Sequence, residues 1–166
     1  MTNTSGYSKD TQIAVIIDSV RHGVPRNIWI VVLKEKGAER YLPIQVNEAQ
    51  ADILAGQLRE RPDKSIAPDL FLTSINATAT HIKSVTIHLE NNTFYAKLQL
   101  SRQDKPCEFR CPIGVALALS SRAKTPIVID EAIWDQVAIV VNWDWPRGGS
   151  DSAIKAASVV QKRGIK

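Results

Sequence analysis

Three carboxylates open the chemical reading of the chain: Glu48, Asp52 and Asp69. Glu48 and Asp52 are four residues apart, the spacing that stacks two side chains on one helix face, and Asp69 falls at the expected start of the next helix. If those helices pair, the three acids converge. Hard oxygen ligands of this kind suit Mg²⁺ or Mn²⁺, a cation of this class usually being held through one or two carboxylates with positions left for substrate oxygens. A cation so held activates water and stabilises the charge that develops as a phosphodiester is cleaved. The competing reading is electrostatic, with Glu48 and Asp69 complementing the dipoles of the helices they begin. Arg61, Lys64 and Arg110 are the cations that could orient a phosphate, although a solvated arginine or lysine is the default.

Other chemistry finds little support. The chain has no phosphate-binding glycine loop, no H-E-x-x-H, no paired C-x-x-C and no G-x-S-x-G. His22, His81 and His88 fall on expected turns and strands. His81 and His88 are seven apart, which in a regular strand points them to opposite faces and denies them a shared metal. The only cysteines, Cys107 and Cys111, are four apart in an expected strand. At about 3.4 Å per residue they lie roughly 13 Å apart, too far to bridge, which favours a reducing, cytoplasmic setting.

The elements that must position these groups follow from local pattern. Residues 12–20 and 28–33 are short β-branched runs separated by a turn-rich stretch, and predict two neighbouring strands. Residues 40–44 add a third, which Pro43 demotes to an edge or a bend. Asn47 and Gln50 form a capping box that starts a helix at Glu48. Ala51, Leu54 and Leu58 set its core face, flanked by Ile53, and it ends near Arg61-Pro62. A second helix opens at Pro68-Asp69 and runs through Leu70, Phe71, Leu72 and Ile75. Residues 81–90 and 93–101 alternate strictly around Asn91-Asn92, the clearest hairpin in the chain. Residues 108–111 suit a third antiparallel strand. Pro112 begins another helix carrying Val115, Ala116 and Leu119 that ends near Lys124-Thr125-Pro126, residues 127–129 form a short strand, and Asp130-Glu131 caps a last turn through Trp134. These elements predict an α+β fold, antiparallel hairpins packed with a few short helices in one compact domain.

With 166 residues, 44% of them apolar and 23% charged, the chain can bury a sizeable core, which argues against disorder or a fibrous class. No apolar run approaches the roughly 20 residues that span a bilayer, and the first ten residues lack the apolar stretch of a signal peptide. The expected layout is a disordered tail over 1–10, a domain over 11–142 and a basic appendage over 143–166, the last marked by the break WDWPRGGSDS. Five cations against Asp151 between 147 and 166 account for the whole net charge of +4, so the rest of the chain is neutral. A polyanion contact argued from net charge therefore belongs to that tail, whose residues 152–163 could form a short amphipathic helix.

The succession Tyr41-Leu42-Pro43-Ile44, Glu48-Ala49, Arg61-Pro62 with Asp69-Leu70, Thr93-Phe94-Tyr95-Ala96, and Pro112 through Ala118-Leu119 to Pro126-Ile127 resembles the bifunctional nuclease (BFN) domain across about residues 13–137. The resemblance implies a compact α+β domain that degrades DNA and RNA with a divalent metal, Mg²⁺ or Mn²⁺, and that assembles as a homo-oligomer. The metal set it suggests here is Glu48, Asp52 and Asp69, with Asp69, Glu48 and Arg61 catalytic and Arg110 and Lys64 on the substrate. Two departures stand out. The family pattern reads R-P-S-D-A where this chain has Cys111-Pro112-Ile113-Gly114-Val115, losing an arginine and an acid. It reads Thr-His where this chain has Ala67-Pro68 before Asp69. The alternative these losses raise is a BFN-fold module that binds or assembles without cleaving.

Overall fold

Alternating β-branched segments pair here into one mixed sheet, and the computed structural model describes residues 11–23, 27–58 and 66–140. Its strands are β1 (Gln12–Gly23), β2 (Ile28–Glu35), β3 (Arg40–Val46), β4 (Thr80–Glu90), β5 (Thr93–Arg102), β6 (Lys105–Pro112), β7 (Ile127–Asp130) and β8 (Ile139–Val140). The helices among the described residues are α1 (Glu48–Leu58), α2 (Ile66–Ala77), α3 (Ile113–Ala123) and α4 (Glu131–Val137). In space the strands run β6-β5-β4-β7-β1-β2-β3-β8. Only β4 and β7 pair in parallel; they join two antiparallel wings, β4-β5-β6 and β1-β2-β3. The fold is the expected α+β class.

Turn chemistry sets the hairpins. Asn91 and Asn92 both take left-handed dihedrals (φ 48° and 60°), the pair that a two-residue turn needs to match strand twist. Gln103 and Asp104 do the same between β5 and β6. In the β2–β3 loop the positive φ falls to Gly37 (93°), where no side chain is strained. Pro43 lies where β3 has an open side: β8 pairs with Arg40 and Tyr41 alone, so beyond them β3 has no outer strand among the described residues.

The capping box forms as expected. The Gln50 backbone N–H donates to Asn47 Oδ1 at 2.8 Å, and the Asn47 N–H donates back to Gln50 Oε1 at 3.2 Å. Pro112 precedes the first turn of α3, Lys124 closes it in the left-handed conformation, and Asp130 accepts from the Ala132 N–H at 2.8 Å to start α4. One sheet face carries Val31, Leu33, Leu42, Ile44, Val85, Ile87, Ala96, Leu98 and Ile129 against Ala51 and Leu54 of α1 and Ala116, Leu117 and Leu119 of α3. Burial of this order, about 25 cal/mol for each Å² of apolar surface, drives the fold.

Several sequence expectations need correction. Leu58, the last residue of α1, is exposed, so that helix's core face closes at Leu54. Val115 is exposed too, the buried face of α3 being set by Ile113, Ala116, Leu117 and Ser120. Leu70 of α2 is exposed as well. His81 and His88 do not point to opposite faces. The register of β4 shifts between Ile82 and Ser84, so Lys83 is an extra residue, and the two histidines pair with Ser101 and Tyr95, six apart on β5 and thus on one face. They still stand about 20 Å apart at the strand rise, too far to share an ion. The tails, Arg61, Lys64 and the segment 141–166 lie outside the described residues. Among the described residues no helix is long and apolar enough to cross a membrane.

Candidate functional site

The strand β2 begins with Ile28-Trp29 and β3 ends with Gln45-Val46, so the antiparallel register sets Trp29 opposite Val46 and Ile30 opposite Gln45 at the end of the wing from which α1 departs. That junction opens a cavity of about 540 Å³ lined by Asn27, Trp29, Gln45, Val46, Asn47, Glu48 and Gln50. The lining is one carboxylate, four side-chain amides and an indole. Trp29 is held from behind: the His22 ring stacks on it with centroids 4.2 Å apart, and His22 Nε2 lies 2.8 Å from Asn27 Oδ1. Yet the indole Nε1–H of Trp29 is buried without a hydrogen-bond partner among the described residues. A buried N–H left unpaired costs about 1–3 kcal/mol, and such a group asks for an acceptor.

Glu48 reaches this rim because the capping box fixes the first turn of α1. Its carboxylate lies at the positive end of the helix and Gln45 adds an amide to the rim, while Asn47 Oδ1 and Gln50 Oε1 already accept the capping-box N–H groups. These are the hard donors that Mg²⁺ or Mn²⁺ takes, with water and substrate completing the shell. One carboxylate with amide oxygens would supply only part of such a shell, the rest falling to water and substrate.

The expected convergence of Glu48, Asp52 and Asp69 is not formed. Among the described residues no three of His, Cys, Asp and Glu gather closely enough to hold an ion. The reason lies in helix order: α1 and α2 each pack on α3 instead of pairing with one another. Asp52 is exposed, and Asp69 at the first turn of α2 reaches Arg122 of α3, Nε to Oδ1 at 3.4 Å. Arg110 is likewise engaged. It donates to Glu90 at 2.7 Å and covers the Tyr95 ring at 3.7 Å, with His88 stacked on that same ring at 5.2 Å. Burial of its ring and the charge of Lys97 push His88 below the usual histidine range. The Arg110 surface carries aromatic rings for stacking, but its cations are matched by Glu90 and Glu108.

The segment that departs from the R-P-S-D-A pattern borders the cavity. A Cβ built on Gly114 would come within 2.1 Å of Gln50 Oε1, so the capping amide occupies the space that a side chain at 114 would need. Cys111 and Ile113 beside it are buried, and burial raises the Cys111 thiol above its ordinary range. At 111, 113 and 114 this chain thus carries groups that pack, Gly114 against Gln50.

Of the residues lining this cavity, sequence reasoning named Glu48 as a candidate, read Asn47 and Gln50 only as a capping box, and did not single out Trp29, Asn27 or Gln45. Trp29 reads as one more residue of an apolar strand, and the positive φ of 48° at Asn27, two residues before it, is seen only in the structure.

The family model for the bifunctional nuclease domain matches residues 31–142. An uncharacterized protein of Mycobacterium tuberculosis, from strain CDC 1551 / Oshkosh and again from strain H37Rv, is 32% identical over 129 residues, covering 76% of this chain and 77% of the relative.

Proposed function

Because the chain belongs to the bifunctional nuclease domain family, we propose that it hydrolyses phosphodiester bonds of DNA or RNA at the cavity beside Glu48. The observation that carries this reading is the family match itself, whose bounds, 31–142, include Glu48, Asp69 and Gly114. The cavity is consistent with it. Side-chain amides such as Asn27, Gln45 and Asn47 bond base edges and sugar oxygens, and the unpaired Trp29 N–H can donate to a phosphate or base oxygen. Glu48 with neighbouring amide oxygens would hold Mg²⁺ or Mn²⁺. When bound, such a cation supplies a water of lowered pKa and positive charge at the phosphoryl oxygens. In the same reading the protein works in the cytoplasm, where Cys107 and Cys111 remain reduced.

One observation favours a second reading, a module that keeps the fold and binds without cleaving. Gln50 fills the place of an acid at 114, and Asp69 is tied to Arg122, so a single carboxylate faces the cavity. Labelled single-stranded RNA and double-stranded DNA incubated with the protein and Mg²⁺ or Mn²⁺ separate the two. Chelator-sensitive cleavage that Glu48→Gln removes, by about 10²-fold or more, supports hydrolysis at this cavity. Binding without cleavage by folded protein supports the second reading. Asp69→Asn run alongside tests whether that acid contributes; undiminished cleavage removes it from the mechanism.

A further inference from the structure

Among the described residues the strand β6 ends the sheet on one side, and all six residues from Lys105 to Arg110 are exposed. Phe109 lies opposite Leu98 on the face that carries the helices, yet more than half of it is open to solvent. A long bare edge is a template for another strand unless charge, proline or cover blunts it. Here the blunting is arranged with a symmetry of its own. Pro106 and Pro112 lie three residues to either side of Phe109, and Glu108 and Arg110 lie one residue to either side.

We propose that β6 pairs antiparallel with β6 of a second copy of this chain, about a two-fold axis at Phe109, giving one sheet continuous through both copies. Antiparallel pairing about that axis sets Glu108 opposite Arg110 of the second copy, and the reverse, so the row is charge-complementary to itself. Opposite charges directly across a ladder favour pairing, and like charges oppose it. The registers two residues away, centred on Glu108 or on Arg110, set like charges face to face. The backbone agrees. A proline is accommodated where its missing N–H would face away from the paired strand. Pro106 and Pro112 thus place positions 106, 108, 110 and 112 on the open side, so Glu108 and Arg110 have the N–H and C=O groups to exchange with a partner strand. The two prolines also end the ladder at each side, which fixes its length. At the axis the two Phe109 rings cover one another on the helix-bearing face, removing the exposed aromatic.

Reversing either charge alone makes the row self-repelling, whereas mixing the two variants restores complementarity. Light scattering should give wild-type protein a mass twice the 18.4 kDa of the chain, Glu108→Arg and Arg110→Glu each the single-chain mass, and an equimolar mixture of the two variants the doubled mass again. Far-UV circular dichroism confirms that both variants are folded. Phe109→Cys with Cys107→Ser should, under mild oxidation, yield a covalent dimer on a non-reducing gel. A monomeric wild-type protein overturns the proposal. So do variants that remain dimeric singly, a mixture of folded variants that stays monomeric, or the absence of a Phe109→Cys cross-link.

Discussion

The two wings that meet at the parallel β4–β7 pair finish in opposite ways. The β1-β2-β3 wing is fastened at one end by its own chain: β8 pairs with Arg40 and Tyr41 of β3, and α4 inserts the fully buried Trp134. There Glu35 accepts from Arg40 Nε at 2.5 Å and from Trp134 Nε1 at 2.8 Å, while Arg40 Nη1 donates to Asp135 at 2.5 Å. The β4-β5-β6 wing ends in a strand with no outer neighbour among the described residues, and its polar groups are surface ion pairs, Lys97 with Glu108 at 2.6 Å and Arg110 with Glu90 at 2.7 Å. A charge with several partners under an indole fastens an edge, whereas exposed pairs add little stability and leave the edge readable by another strand.

The sharpest contrast is between the two aromatics that mark these edges. Trp134→Ala should cost about 3–5 kcal/mol in denaturant unfolding, the loss expected for a large buried ring, and should release the Glu35 carboxylate from its N–H donor. Phe109→Ala, at the far edge, should change the stability of the folded chain by no more than about 0.5 kcal/mol. Comparable costs at both positions would show that the two edges are equally fastened.

At the cavity the effect is intermediate. Gly114→Ala drives a methyl into Gln50 and should cost about 1–3 kcal/mol as overpacking. The cost should shrink in the Gly114→Ala, Gln50→Ala pair, because the obstructing amide is gone; additive losses in a double-mutant cycle would dismiss the contact. Asn47→Ala, which removes one half of the capping box, should cost about 1 kcal/mol.

The fastened wing also predicts an acid sensitivity. The Arg40 guanidinium, against the opposing effect of burial, holds the Glu35 carboxyl below its ordinary 4.5. The unfolded chain takes up that proton near 4.5. The contribution is therefore complete above this pH and is lost as pH falls through the lower native value. Unfolding free energies measured from neutral pH into this range should fall more gently for Glu35→Gln than for wild type. Parallel curves would take Glu35 out of the acid transition.

What the sequence reveals follows the range of the interaction. The Asn47–Gln50 box, the Asn91-Asn92 turn, the Pro112 start of α3 and the Asp130 cap are each decided within four residues, and each forms as read. The extra residue at Lys83 showed in the sequence only as a break in the alternation, Ile82 falling out of step with Val85, Ile87 and Leu89, and it moves His81 to the face of His88. The Glu35–Arg40–Trp134–Asp135 network joins residues nearly a hundred positions apart, and no local pattern announces it. The candidate site divides in the same way. Glu48 is legible from its place in a capping box, but the neighbours that make it a cavity, Asn27 and Trp29, arrive through strand pairing. The three-acid cluster failed because helix spacing along the chain does not say which helices touch.

The direct trial of the cavity is the rate at which wild-type protein and Glu48→Gln cleave one labelled RNA strand in Mn²⁺, with and without a chelator, both proteins shown folded by circular dichroism. Chelator-sensitive cleavage that falls about 10²-fold or more in Glu48→Gln is the result predicted for hydrolysis beside α1. Equal rates in the two proteins, or no cleavage by the folded wild type, would contradict it.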